Sequence, residues 1–256
     1  MRVALLADPH IAADRDRIHN GQNVADNLVR TVEAVKGRNP SMVLIAGDLA
    51  WQTGSPGDYE RFTELLQPLA RHVMVCLTIG NHDERRNFLA AVSPRSLENG
   101  AVPQKSIVVI EHPLLRIVML DSLFRSDVIA GLLGKQQRDW LGSFLSEADG
   151  RPTVLCVHHP LHDSDAALLD ADRLLRIAGP HRQVKAILHG HDHRYNHAVW
   201  EGIHVVGLPA VGMPLDAAEP LGWVEGWFSN EGVDLTFFGV EGRTELASSP
   251  RKLEWR

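Results

Sequence analysis

The chain has 256 residues, 44% hydrophobic and 23% charged, an ordinary globular composition with length enough to bury a substantial core. A net charge of −6 and an isoelectric point near 6.1 exclude a broad nucleic-acid or anionic-membrane surface, because both need a basic face. No apolar run is long enough to cross a bilayer, and Met1-Arg2-Val3-Ala4-Leu5-Leu6 enters a core strand without a leader-like pattern, so a cytoplasmic location is expected.

Residues 2–7 form a short apolar run that stops at Asp8-Pro9-His10. The spacing of Val24, Leu28, Val32 and Val35 predicts a helix over 22–36, with Asn23 or Asp26 in its first turn and Gly37 just past its end. Residues 41–46 are strand-like and run into Gly47-Asp48. Ser55-Pro56 opens a second helix through 69, with Tyr59, Phe62, Leu65, Leu66 and Leu69 on one face. The apolar run 73–79 then breaks at Gly80-Asn81-His82-Asp83. Strand, helix, strand, helix, strand predicts a parallel sheet with crossover helices.

A short helix is expected over 84–91, ended by Ser93-Pro94. Runs 106–110 and 115–120 pair as a hairpin around His112-Pro113, the second ending at Asp121-Ser122. A helix over 135–147 turns Trp140, Leu141, Phe144 and Leu145 inward, and strand 153–157 ends in His158-His159-Pro160. After an amphipathic stretch at 166–177, strand 184–188 ends in His189-Gly190-His191-Asp192-His193. Runs 196–200, 203–208, 223–229 and 233–240 are separated by glycine-containing turns and predict an antiparallel sheet, followed by a polar tail beyond Gly242. With no internal repeat and no linker, residues 1–256 read as a single domain. Cys76 and Cys156 each lie inside an apolar run and are expected to be reduced, buried and structural.

The fourteen histidines are the unusual count, and many sit where strands end. Open α/β sheets bind ligands beyond the carboxyl ends of their strands. Five such ends deliver Asp8 and His10, then Asp48, then Asn81 and His82, then His158, then His191 and His193. Any one of these histidines alone reads as a hydrogen-bonded loop residue; the repeated ending reads as a site. No cysteine is among them, and a carboxylate, imidazole and amide set suits Mn, Fe, Co or Zn better than Mg alone. Asp8, His10, Asp48, Asn81, His158, His191 and His193 are too many for one tetrahedral ion. They fit two ions about 3.5–4 Å apart with one carboxylate bridging.

The ordered set Asp8-x-His10, Gly47-Asp48, Gly80-Asn81-His82-Asp83, His158 and Gly190-His191-Asp192-His193 resembles the calcineurin-like metallophosphoesterases. Within them it is most similar to the bacterial class III cyclic-nucleotide phosphodiesterases, as the pattern Asp121-Ser122, Gly131-Leu132-Leu133, Gln137 and Trp140-Leu141 also suggests. The resemblance implies an α/β fold, a four-layer α/β/β/α sandwich with two mixed sheets, in which the β-rich segment 196–240 completes the second sheet. It implies that Asp8, His10 and His193 hold one metal and Asn81, His158 and His191 the other, with Asp48 bridging and His82 the acid beside the leaving group. It further implies a dinuclear metal-dependent phosphodiesterase that hydrolyses a small phosphodiester, such as a cyclic nucleotide or glycerophosphodiester, by in-line attack of a metal-bridging hydroxide. A phosphomonoesterase or nucleotide pyrophosphatase with the same centre is the alternative, and an inactive binding or scaffold protein is the reading outside enzymology. A nuclease would need a basic surface that this composition lacks.

One position departs from the resemblance. The family often continues Gly-Asp-x-x-Asp, whose second Asp supports the catalytic histidine, and here that place is Trp51. An indole N–H cannot accept a hydrogen bond, so Trp51 is expected to pack against the site wall or to stack on a substrate base. Arg85, just after Asp83, is a candidate phosphate clamp. Run 223–240 is free to cover a sheet edge or to pair between subunits, which leaves a homo-oligomer open.

Overall fold

Along β1 (Arg2–Leu6), Val3 and Leu5 enter one apolar core while Ala4 and Leu6 enter another. A strand with apolar residues on both faces belongs inside a layered fold, covered on each side. The structure, a computed structural model, describes residues 1–92, 102–240 and 250–256. The first sheet joins β1 in parallel to β4 (Met42–Ala46) and β5 (Met74–Thr78). On its other side β1 pairs antiparallel with β12 (Gly222–Phe228), followed by β13 (Gly232–Gly239) and β14 (Arg251–Glu254). The second sheet runs in the order β10 (Asn196–Trp200), β11 (Ile203–Gly207), β9 (Val184–His189), β8 (Thr153–Cys156), β7 (Arg116–Met119), β6 (Val108–Glu111). A small hairpin, β2 (Ile18–His19) with β3 (Gln22–Asn23), stands apart from both.

Three cores separate four layers. Between the sheets lie Leu5, Leu44, Cys76, Met119, Cys156 and Leu188. Outside the first sheet, Leu28 and Val32 of α1 (Val24–Arg38), Tyr59 and Phe62 of α2 (Pro56–Ala70) and Phe88 of α3 (Arg85–Ala91) fill the second core. Leu141 of α4 (Lys135–Glu147) and Leu174 of α5 (Ala171–Ala178) fill the third against the second sheet. This is the expected four-layer sandwich of two mixed sheets. Both cysteines are free and buried.

Several expectations need correction. Helix α1 runs through Gly37 to Arg38, and Asn39 takes the left-handed cap (φ 50°) with its N–H on the Lys36 carbonyl. Asparagine tolerates that conformation, so it replaces the expected glycine. The amphipathic stretch 166–177 is helical only from Ala171, because the backbone of 167–169 is already paired with Gly131 and the Pro160 carbonyl. Residues 196–240 do not form one antiparallel unit completing the second sheet. Strands β10 and β11 join that sheet, β11 running parallel to β9, while β12 and β13 cross to the first. The crossing is anchored where the Val211 N–H meets the Ala7 carbonyl and the Gly222 N–H meets the Ala210 carbonyl, which lets Val224, Phe228, Val233 and Phe237 enter the inter-sheet core. The expected helix stop at Ser93-Pro94 and the polar stretch 242–249 lie outside the described residues. Beyond that stretch, β14 forms the edge of the first sheet.

Candidate metal centre

The loops leaving β1, β4 and β5 in one sheet and β8 and β9 in the other meet at a common edge. His158 Nδ1 reaches the Ala46 carbonyl across the sheets at 2.8 Å, and the Gly190 N–H donates to the His158 carbonyl at 3.0 Å. All seven expected donors are found there, together with His82. In one group, His10 Nε2 lies 3.1 Å from His193 Nε2, Asp8 Oδ1 is 3.7 Å from His193 Nε2, and Asp48 Oδ2 is 3.8 Å from His10 Nε2. In the other, His158 Nε2 lies 3.2 Å from Asn81 Oδ1, 3.2 Å from His191 Nδ1 and 3.3 Å from Asp48 Oδ2. Asp48 Oδ2 belongs to both groups.

These spacings test whether an ion fits. Ligand bonds of about 2.1 Å place neighbouring donors about 3.0–3.4 Å apart around a tetrahedral or octahedral ion. The closest imidazole and amide pairs have that separation, and paired imidazole lone pairs at 3.1 Å need either a shared proton or a cation between them. Asp8 and Asp48 are 0% and 2% exposed, so two carboxylates lie side by side away from bulk solvent. Burial first, and then the neighbouring Asp48 charge, push the Asp8 carboxyl well above its usual range. Burial would raise Asp48 too, but His158, His10 and His82 outweigh it and hold that carboxyl low. Buried anions in such a place call for cations.

Backbone geometry puts the donors there. Asp8, His10, Asp48, His191 and His193 all have positive φ, between 47° and 72°. Each such non-glycine residue costs about 1–3 kcal/mol and persists only where the surroundings over-determine it. Carboxylates help to do so, since the His191 N–H donates to both Asp8 oxygens and the His82 N–H to Asp48 Oδ1 at 2.9 Å. That leaves Asp48 Oδ2 facing the imidazoles. Gly80 is required for space, because a Cβ there would sit 2.2 Å from Asp48 Oδ1 and 2.5 Å from the His158 ring.

Carbonyls set the tautomers. His158 Nδ1 donates to Ala46 and His193 Nδ1 to the Met213 carbonyl at 2.7 Å, so each turns Nε2 toward the cluster. Burial, reinforced by His158, lowers His191 to about 3. Burial also lowers His193 to about 4, against its bond to Met213, and takes His10 well below its usual range. Neutral imidazoles are the form that binds metal. His158 is the exception. Burial would lower it, but the Asp48 charge and hydrogen bond raise it to about 9.

His82 sits at the open edge, with 29% of its side chain exposed and Nε2 4.0 Å from Asp48 Oδ2. Its Nδ1 bonds the Gln52 carbonyl at 3.1 Å, so a backbone oxygen orients the ring where the family pattern would have placed a carboxylate. Trp51, one residue earlier, is half-buried against the core of the first sheet, and His19 meets it edge-on at 5.1 Å. Arg85 is not the free clamp that was expected. Its guanidinium grips Asp121 at 2.7 and 2.9 Å and donates to the Leu123 carbonyl, tying α3 to the loop after β7. The bidentate fork leaves it a structural partner of a fully buried carboxylate.

Three supporting groups carried weak signals in the sequence. Asp83, which had no assigned role, accepts from the Gly80, Leu49 and Ala50 amides at 2.9, 3.2 and 3.1 Å and so clamps the two loops that carry Asp48 and Asn81. Tyr59, which read only as a core face of α2, adds its hydroxyl to Asp83 at 3.0 Å. Burial and the Asp48 charge raise the Asp83 carboxyl to about 6 in spite of those donors. Ser122 Oγ accepts from the His158 and His159 amides, so its proton goes to His159 Nδ1 at 2.8 Å and fixes that ring behind the cluster.

Comparison with known proteins agrees with this geometry. A sequence model of the calcineurin-like phosphoesterase family matches residues 1–195. A Synechococcus protein named "probable cyclic nucleotide phosphodiesterase" is 32% identical over 87% of this chain and 86% of its own. The glycerophosphodiester phosphodiesterase GpdQ of Enterobacter lignolyticus is 25% identical over 82% of this chain and 77% of its own. Among solved structures, a dimetal phosphatase from Danio rerio superposes with a TM-score of 0.77 over 100% of this chain and 99% of its own, at 16% identity, a likeness of fold. The chain belongs to the calcineurin-like phosphoesterases and is a phosphoric ester hydrolase.

Proposed function

We propose that the protein is a dinuclear metal-dependent phosphodiesterase acting on a small diester, of the cyclic nucleotide or glycerophosphodiester kind. The supporting observation is that seven oxygen and nitrogen donors form two groups sharing Asp48 Oδ2. Asp8, His10 and His193 would hold one ion, Asn81, His158 and His191 the other, and Asp48 both. The donor set suits Mn, Fe, Zn or Co. Such a pair, when bound, acidifies water and neutralises phosphate oxygens. The remaining work falls to the chain's own groups. His82, oriented through Nδ1 by the Gln52 carbonyl, directs Nε2 to the open edge and there delivers a proton to the departing alkoxide. Such a transfer contributes typically about 10²–10⁴-fold. The Asp83 clamp keeps the Asp48 and Asn81 loops in register during that step. A small substrate is favoured because the relatives above are named a probable cyclic nucleotide phosphodiesterase and a glycerophosphodiester phosphodiesterase. No helix among the described residues is long and apolar enough to cross a membrane, and the two free, buried cysteines fit a reducing cytoplasm.

The test is turnover of aryl monoesters, aryl diesters, cyclic nucleotides and glycerophosphodiesters by protein loaded separately with Mn, Fe, Co and Zn. Diester hydrolysis should exceed monoester hydrolysis, and Asp48→Ala should lose about 10²–10³-fold or more in kcat. Faster monoester turnover, or full activity in Asp48→Ala, contradicts the assignment.

A further inference from the structure

Every phosphodiester presents the same group to the metal cluster, so discrimination among diesters must come from the rim. One rim segment is fastened to both ends of the cluster. It is the segment 14–23, a turn leading into the hairpin Ile18–Asn23, whose Asn20-Gly21 turn has φ of 47° and 76°, the double positive φ of a tight hairpin turn. At one end, the Arg17 guanidinium lies 5.6 Å from the centre of the Trp51 ring and His19 meets the same ring edge-on. The next residue after Trp51 supplies the carbonyl that orients His82. At the other end, Asn20 Nδ2 donates to the Pro214 carbonyl at 3.1 Å, and the residue before Pro214 supplies the carbonyl that orients His193. Ile18, between them, is 66% exposed.

The hairpin and Trp51 are thus joined through Gln52 to the backbone that orients His82, on whose side the departing alcohol would lie. They present an indole, an imidazole, a guanidinium and an aliphatic side chain. The indole and guanidinium stack on flat heteroaromatic rings, a contact that a polyol, having no ring, cannot make. We propose that Trp51 and the 14–23 segment it anchors select the substrate, favouring diesters whose leaving alcohol carries an aromatic base. This rests on the phosphodiesterase function proposed above.

The experiment compares metal-loaded wild type, Trp51→Ala, Trp51→Phe and Arg17→Ala on two diesters with alkoxide leaving groups, cyclic adenosine monophosphate and glycerophosphoglycerol, whose alcohols carry neither a ring nor a cation. It determines kcat and KM separately and adds calorimetric binding of a slowly hydrolysed cyclic phosphorothioate. Stacking on one aromatic side chain corresponds to about tenfold or more. Trp51→Ala should lose that factor on the cyclic nucleotide, mainly in KM and in phosphorothioate affinity. The glycerophosphodiester should change by no more than about threefold, Trp51→Phe should recover most of the loss, and Arg17→Ala should fall between. Equal losses on both diesters would mean that Trp51 acts only through the position of His82, and that result overturns the proposal, as does no loss on either. Absence of wild-type turnover on both diesters would refute the phosphodiesterase function alone, since phosphorothioate affinity in Trp51→Ala would still decide the role of the hairpin.

Discussion

The floor of the site and its rim are built in opposite ways. On the floor, Asp8, His10, Asp48, Asn81, His158 and His193 are buried and held by left-handed backbone, by amides on carboxylates and by carbonyls on imidazoles. At the rim, a hairpin of two-residue strands is attached by ring contacts and by the side-chain amides of Asn20 and Asn27, and it leaves Ile18 in solvent. A floor fixed through main chain tolerates no change of geometry. The rim is held largely through side chains and meets the backbone that orients the floor at Gln52 and at Met213-Pro214. On the proposed reading, chemistry and selectivity sit on separately built parts of the chain.

His82 lies between the two regions, and removing it separates proton delivery from metal holding. His82→Ala should lower kcat about 10²–10⁴-fold on substrates with alkoxide leaving groups while metal content stays at the wild-type value. Loss of metal in step with activity would move His82 onto the floor. The floor itself is broken by one methyl group. Gly80→Ala places a Cβ against Asp48 and His158, both held by backbone, and should destabilise the protein by about 1–3 kcal/mol in urea unfolding and reduce metal content. An unchanged midpoint would mean that the floor is softer than its geometry implies.

The smallest expected effect concerns a proton. Without metal, His158 holds its proton up to about 9, because the Asp48 charge outweighs burial. At pH 7 it is therefore charged, and Nε2 must lose that proton before it can coordinate. Metal uptake at pH 7 should release at least one proton, that of His158 and any that burial keeps on Asp8, and affinity should climb with pH until about 9. Calorimetric titration in buffers of different ionisation enthalpy measures this. Enthalpies independent of the buffer would mean that His158 is already neutral.

Much of the floor was legible in the sequence, because strand ends punctuated by glycine and followed by Asp, Asn or His mark both topology and chemistry. What supports the floor was not. The Ala46, Gln52 and Met213 carbonyls act through main chain, which residue identity does not reveal. Tyr59 satisfied the apolar face of α2 so well that its hydroxyl carried no separate signal. Arg85 was misread because its partner Asp121 is 36 residues away, and only the fold brings them together. The division of residues 196–240 between two sheets was hidden for a related reason, since apolar alternation states that a strand is buried but not against which neighbour.

The most direct test of the account is the electron paramagnetic resonance spectrum of the chain titrated with Mn²⁺. The shared Asp48 oxygen predicts two ions per chain with an exchange-coupled signal, and loss of that coupling in Asp48→Ala. Saturation at one ion, or two ions with uncoupled spectra in the wild type, would contradict it.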